Sequence, residues 1–342
     1  MLNLICNSDT TGVPAPGSER VQRLMFASRS RLSEAVFSTM LATRAHAMQR
    51  NLADNVFVAL LIQSGWFMEW MEGPESGVHA VLDRVARDKR HHSPYLLHQS
   101  DGPRRLMEPW SMASVQTHEP AADFTSRVMV LHEEHKQGRA DDPAGVWRRL
   151  STPLTHPGAA EQADEWQFQR VMVVAAVGTD AFNLVRWLGD TFNADIVHRR
   201  FVGSRSEDGD VATDYCDLPA GPVVRRVIAM SQNGLKIGLT RAFLSDYSHV
   251  ILLMSGIPGR DHNLLDRFLR SCAQLAHHPI VVGVGPPDTD HATYRQMART
   301  CGHVYLDCEI LGEIDAATSW AAAAPVLDQQ LPMAGQRVAK VG

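Results

Sequence analysis

The chain has 342 residues, 44% of them hydrophobic and 21% charged, and 33 Lys and Arg against 38 Asp and Glu give a formal net charge of −5. That length suits two domains and that composition excludes a fibrous or disordered chain. With no basic excess and no run of five basic residues, nucleic acid is not an expected partner. The five cysteines, Cys6, Cys216, Cys272, Cys301 and Cys308, form no CxxC pair, and no basic region followed by an apolar run opens the chain. No stretch of ~18 apolar residues marks a membrane span, so a cytoplasmic protein without a membrane partner is expected.

Residues 1–20, rich in Gly, Pro, Ser and Thr, read as a flexible lead-in. Val21 to Ser28 is a strand pattern, and Leu32, Val36, Met40 and Leu41 then recur at helical spacing toward Arg50. Asn55 to Ile62 and Trp66 to Glu72 read as two strands joined through Gln63-Ser64-Gly65, a hairpin. After Gly73-Pro74, the spacing of Val78, Val81, Leu82 and Val85 predicts a helix to about Asp88. Strands at Tyr95 to Gln99 and Ser111 to Gln116 complete a β-α-β-β-α-β-β order, which predicts an α+β ferredoxin-like domain with two helices on one face, over 21–135.

Lys136 to Trp166 mixes Pro, Gly and charges around a short helical stretch at Val146 to Leu150 and reads as a linker, 136–166. Beyond it, Arg170 to Val177 is a continuous apolar strand, followed by a helix carrying Phe182, Leu184, Val185 and Leu188. His249 to Ser255 and Pro279 to Gly285 are further such strands, separated by a helix with Leu264, Leu265, Phe268 and Leu269. Alternating strands and helices predict an α/β domain with a parallel sheet over 167–328, and a tail over 329–342.

In the first half RLMFASRS, WMEGPE, ARDKRHHS and EPWSM occur in the order of a BLUF domain, the flavin-based blue-light sensor, and residues 21 to 118 resemble it. The resemblance implies a flavin between two helices, an electron- and proton-donating Tyr and a Gln that rearranges its hydrogen bonds. Phe26 stands at the Tyr position and has no hydroxyl; Glu69 stands at the Gln position and, ionised, only accepts. Asn55-Val56-Phe57-Val58 replaces GITG, and Phe57 and Val58 are expected to crowd the pocket. Asn51 matches the flavin-anchoring Asn and also reads as a helix end, while Trp110 and Met112 match a pair beside the ring and also read as core packing. Alternation puts Phe67, Glu69 and Met71 on one side of their strand without saying which side is inward.

The second half resembles a small Ras-like GTPase of the bacterial branch with a strand near Ala212 to Leu218, over about residues 168 to 325. This implies an α/β P-loop GTPase-like fold and a nucleotide site, but the loop GxxxxGK followed by Ser or Thr is here AAVGTDAF. Ala175 replaces the first Gly, Asp180 the second, Ala181 the Lys and Phe182 the hydroxyl, with Gly178 between them, so triphosphate is repelled and Mg²⁺ loses its ligand. The base-reading NKxD motif survives only as Asp288, and Gly234 is the nearest glycine for a DxxG motif. His91-His92 and His277-His278 lack further ligands at metal spacing, and neither GxSxG nor HExxH occurs.

Two switch-like domains without their switching residues predict a non-catalytic signalling or scaffold protein that acts by binding another protein, with self-association through the BLUF-like domain as a homodimer the further expectation. No cofactor is expected, and FAD is the one the resemblance implies. The alternatives are a flavin-binding blue-light photoreceptor and a nucleotide-binding GTPase.

Overall fold

A computed structural model describes residues 20–32, 34–139, 142–153, 168–221, 223–275, 277–329 and 331. The expected lead-in lies outside them except for Arg20. So do the expected tail except for residues 329 and 331, and residues 140, 141 and 154–166 of the expected linker.

The first half runs β1 (Arg20–Ser30), α1 (Val36–Ala42), α2 (Arg44–Ala53), β2 (Phe57–Gln63), β3 (Trp66–Gly73), α3 (Glu75–Ala86), β4 (His91–Pro103), β5 (Ser111–Gln116). The strands lie in the order β5-β2-β3-β1-β4, with β2 parallel to β5 and the other pairs antiparallel. The turn between β2 and β3 is two residues, Ser64 (φ 49°) and Gly65 (φ 77°), both left-handed as the right-handed twist of a tight hairpin demands. α2 and α3 cover one sheet face. At Gly77 a Cβ would lie 2.4 Å from the Asp54 carbonyl oxygen, so only glycine lets α3 close onto the loop that ends α2.

The opposite face carries Met25, Phe57, Leu61, Trp66, Met68 and Trp70 and is covered by α4 (Ala121–Lys136) and α5 (Pro143–Ser151). α5 falls within the segment expected to link the domains, yet Val146, Trp147 and Leu150 are buried in this core. At roughly 1.5–3 kcal/mol for a large apolar side chain taken out of water, that burial pins the helix to the sheet.

The second half continues with β6 (Phe168–Ala175), α6 (Asp180–Phe192), β7 (Val197–Val202), β8 (Asp210–Ala220), β9 (Val223–Met230), α7 (Gly238–Arg241), β10 (His249–Leu253), α8 (Pro258–Cys272), β11 (Ile280–Gly285), α9 (His291–Thr300), β12 (Tyr305–Glu309) and α10 (Ala316–Gln329). Its order is β7-β8-β9-β6-β10-β11-β12, parallel from β9 to β12 and antiparallel at β7/β8 and β8/β9. α6 and α10 pack on one face, α8 and α9 on the other, which is why β6 and β10 are apolar without alternation.

The two halves share one sheet. β5 pairs antiparallel with β7, from Met112↔Val202 to Gln116↔His198, closing a twelve-stranded sheet in which each half satisfies the other's open edge. Glu108 clamps the joint from the first half, its Oε2 accepting from Ser204 N (2.9 Å) and its Oε1 from Gly238 N (2.6 Å). Ser204 returns the contact, donating from Oγ to the Trp110 carbonyl at 2.7 Å.

Candidate functional site

A cleft of about 450 Å³ opens between α2 and α3, with Val58, Leu60, Phe67 and Glu69 of the sheet as its floor. Pleating decides the floor: alternate residues of β2 and β3 face α2 and α3, which puts Glu69 on the cleft side together with Phe67. Phe57, expected to crowd this pocket, belongs to the core on the opposite face, under the Arg104 guanidinium at 4.4 Å from its ring centroid. Only Val58 of that expected pair reaches the cleft.

Asn51 on α2 and Trp110 just before β5 line the cleft. Asn51 donates from Nδ2 to the Pro109 carbonyl at 2.9 Å, and the buried Glu72 carboxylate accepts from Arg105 N (2.6 Å) and Leu106 N (2.7 Å). These bonds hold the segment leading into β5 and thereby set the Trp110 ring at the cleft wall. Phe26 and Met112 lie in the packed layers beneath: Phe26 with Leu24, Val58 and Met71, and Met112 with Leu60, Phe67 and Trp110.

Glu69 is half-buried and forms no hydrogen bond or ion pair with any described residue. Burial, reinforced by the Asp88 carboxylate and opposed by Arg90, pushes its carboxyl up to about 7. Near neutral pH it is therefore a mixture of carboxylate and carboxylic acid, and the acid carries one donor and one acceptor, as an amide does. Arg90 is engaged by Asp88, its Nε 2.9 Å from both carboxylate oxygens. His91 stands beside them, edge-on to Phe67 at 6.3 Å, its Nδ1 buried without a hydrogen-bond partner among the described residues and its pKa lowered by burial. Asp88, Arg90 and His91 follow α3 with no periodic signal; they lie in the ARDKRHHS stretch that carries the resemblance, but nothing in it says that they converge on Glu69.

The residues expected at a nucleotide site gather at the turn from β6 to α6, with Gly178 left-handed (φ 59°) and exposed, and Asp180 exposed at the first turn of α6. Ala181 and Phe182 point instead into the core under α6. Gln232, which follows β9, donates from Nε2 to the carbonyls of Ala175 (2.9 Å) and Ala176 (3.0 Å), tying down the start of this turn. Asp288 is exposed, its Oδ1 close to Gly256. Among the described residues no group of three or more His, Cys, Asp or Glu is placed to hold a metal, and no helix is long and apolar enough to cross a membrane.

The first half is thus a ferredoxin-like sheet with a cleft between helices on one face. Residues 21–113 match the family model described as BLUF, sensors of blue-light using FAD, and are a BLUF domain. The chain is similar to the photo-activated state of BlsA at 14% identity, over 38% of this chain and 91% of that one, with a TM-score of 0.29. It is also similar to BlrB, a BLUF protein in its dark state (22% identity, 39% and 96% covered, TM-score 0.28), and to a bacterial light-regulated adenylyl cyclase (11%, 71% and 87%, TM-score 0.26). No curated protein matches the chain.

The cleft fits the flavin that this family uses. Its volume lies within the roughly 300–1,000 Å³ of small-molecule sites, its floor is apolar apart from one unpartnered carboxyl, and Arg50 and His46 stand exposed among its lining residues. Asn51, Glu69, Arg50 and His46 are among the polar lining residues that would hold such a group.

Proposed function

We propose that this chain is a non-catalytic signalling protein whose BLUF cleft binds a flavin without running the Tyr and Gln photocycle, and whose second domain presents the result to a protein partner. One observation carries the reading. Phe26, Glu69, Leu60, Met112 and Val202 are successive register partners on β1, β3, β2, β5 and β7, a single row from the cleft floor into the second domain. Leu60, Met112 and Val202 share one packed cluster with Trp110, so a ligand resting on Glu69 and Trp110 bears on the joint itself. Close-packed interiors have low compressibility and transmit strain, which suits a sheet that crosses the joint without a break.

Bound flavin would supply absorption of blue light. The residues here bind and orient: the protonated Glu69 carboxyl both donates and accepts, whereas Phe26 holds no proton to give. In the second domain, the order β8-β9-β6-β10-β11-β12 with only β8 reversed supports a GTPase-like layout. The Gln232 bonds at the first turn support a domain that keeps this turn in place without nucleotide.

Hydrogen–deuterium exchange of the full chain with and without FAD, in the dark, tests this. Binding of FAD with slowed exchange in both β5 and β7 is expected. Absence of FAD binding, or protection that stops at β5, overturns it.

A further inference from the structure

On the face covered by α5, neighbouring strands bring Arg170, Arg199 and Arg226 around one small cavity at the junction of the halves. Most of its charges are answered. Arg226 makes a two-pronged bond to Asp217 (2.7 and 2.8 Å), and Asp246 takes Arg105 (2.8 Å) and Arg148 (2.6 Å).

Arg199 is the exception. Its guanidinium lies near the rings of Phe201 and Tyr215, at 5.3 and 4.9 Å from their centroids, and its one hydrogen bond runs from Nε to Thr213 Oγ1 at 3.2 Å. No carboxylate among the described residues pairs with it, and burial lowers its pKa. The Tyr247 hydroxyl, beside it, likewise makes no hydrogen bond among the described residues, and both side chains line the cavity. Both side chains are half-buried, and the four remaining N–H donors of Arg199 have no partner among the described residues; a planar fork so placed suits two oxygens of one group. The cavity, at about 50 Å³, exceeds the room one water needs.

We infer that this junction cavity binds a small oxyanion of the phosphate class, held by the Arg199 guanidinium and the Tyr247 hydroxyl in the positive field of Arg170 and Arg226. Such an anion would touch β7, whose Val202 ends the row from the cleft, and α5 of the first half, so its occupancy tightens the joint. Its lining shares no residue with the flavin cleft.

Thermal unfolding of the full chain in inorganic phosphate against chloride, at matched ionic strength, tests the proposal. A saturable rise in Tm with phosphate and with sulfate, absent in Arg199→Met and at least tenfold weaker in apparent affinity in Tyr247→Phe, is expected. Glycerol phosphate separates the sources: an equal rise assigns the site to a phosphate monoester, and none assigns it to the free ion. No saturable rise, or an undiminished one in Arg199→Met, overturns the proposal. Should Arg199→Met fail to fold, unchanged phosphate affinity in Tyr247→Phe overturns it alone.

Discussion

Phe26 and Glu69 are direct cross-strand partners on β1 and β3, so the phenyl ring and the carboxyl stand side by side where a light-driven proton transfer would need a phenol next to an amide. The two substitutions sit at one spot in the fold, and their effects are coupled. Without a hydroxyl at 26, Glu69 has no side-chain donor from β1, which leaves its own proton as the mobile one.

Reconstituted with FAD and illuminated in the blue, the protein is expected to show no reversible red shift of the flavin band, because Phe26 has no proton to give. A light-minus-dark difference spectrum checks this, and a band shift that decays in the dark contradicts it.

Glu69 should make stability pH-dependent with a definite sign. Its folded pKa of about 7 exceeds the ordinary 4.5, so between those values the folded state binds more proton than the unfolded, and stability falls as pH rises through the window. The full effect is about 3 kcal/mol at most, from 1.36 kcal/mol per pKa unit. Glu69→Gln, which keeps the shape and removes the titration, should therefore be more stable than the wild type at pH 8 and little different at pH 4.5. Urea midpoints across that range measure it; a variant curve parallel to the wild type would refute the assignment.

Phe57→Ala should cost about 3–5 kcal/mol, as truncation of a buried Phe does, and leave the flavin dissociation constant unchanged. The ring fills the core away from the cleft, so equilibrium unfolding registers the change and a fluorescence titration with FAD does not. Affinity that rises on truncation would put the ring back in the pocket.

Glu108 bridges the halves through Ser204 N and Gly238 N, and Glu108→Ala leaves both donors without that acceptor. A loss of about 2–5 kcal/mol is expected from two charge-assisted bonds and the unmet N–H groups. The wild type should unfold in one calorimetric transition and the variant in two, as the halves separate.

The second domain should gain no Tm from millimolar GTP with Mg²⁺ beyond what inorganic phosphate gives. Ligand at about 100 times its dissociation constant would add about 2.7 kcal/mol, a shift of several degrees, whereas Asp180 repels the triphosphate and Ala181 offers no cation. A GTP-specific rise would promote the nucleotide-binding reading.

Local patterns in the sequence determined a good deal here. The hairpin at Ser64-Gly65, the helix marked by Val78, Val81 and Val85, and the positions of Phe26, Asn51 and Glu69 on their elements all follow from periodicity and turn chemistry, which act over a few residues. That Ala175 to Phe182 contains no Lys is equally plain from residue type. Three matters needed the tertiary structure. Alternation groups Glu69 with Phe67 and Met71 but is blind to which face α2 and α3 cover, so the cleft side of Glu69 and the opposite side of Phe57 came only with packing. The pairing of Met112 with Val202 joins strands far apart in the chain, and backbone hydrogen bonds between edges carry almost no side-chain signature. The raised pKa of Glu69 and the unanswered charge of Arg199 depend on burial and on distances to Asp88 and Tyr247, and such distances exist only after the chain has folded.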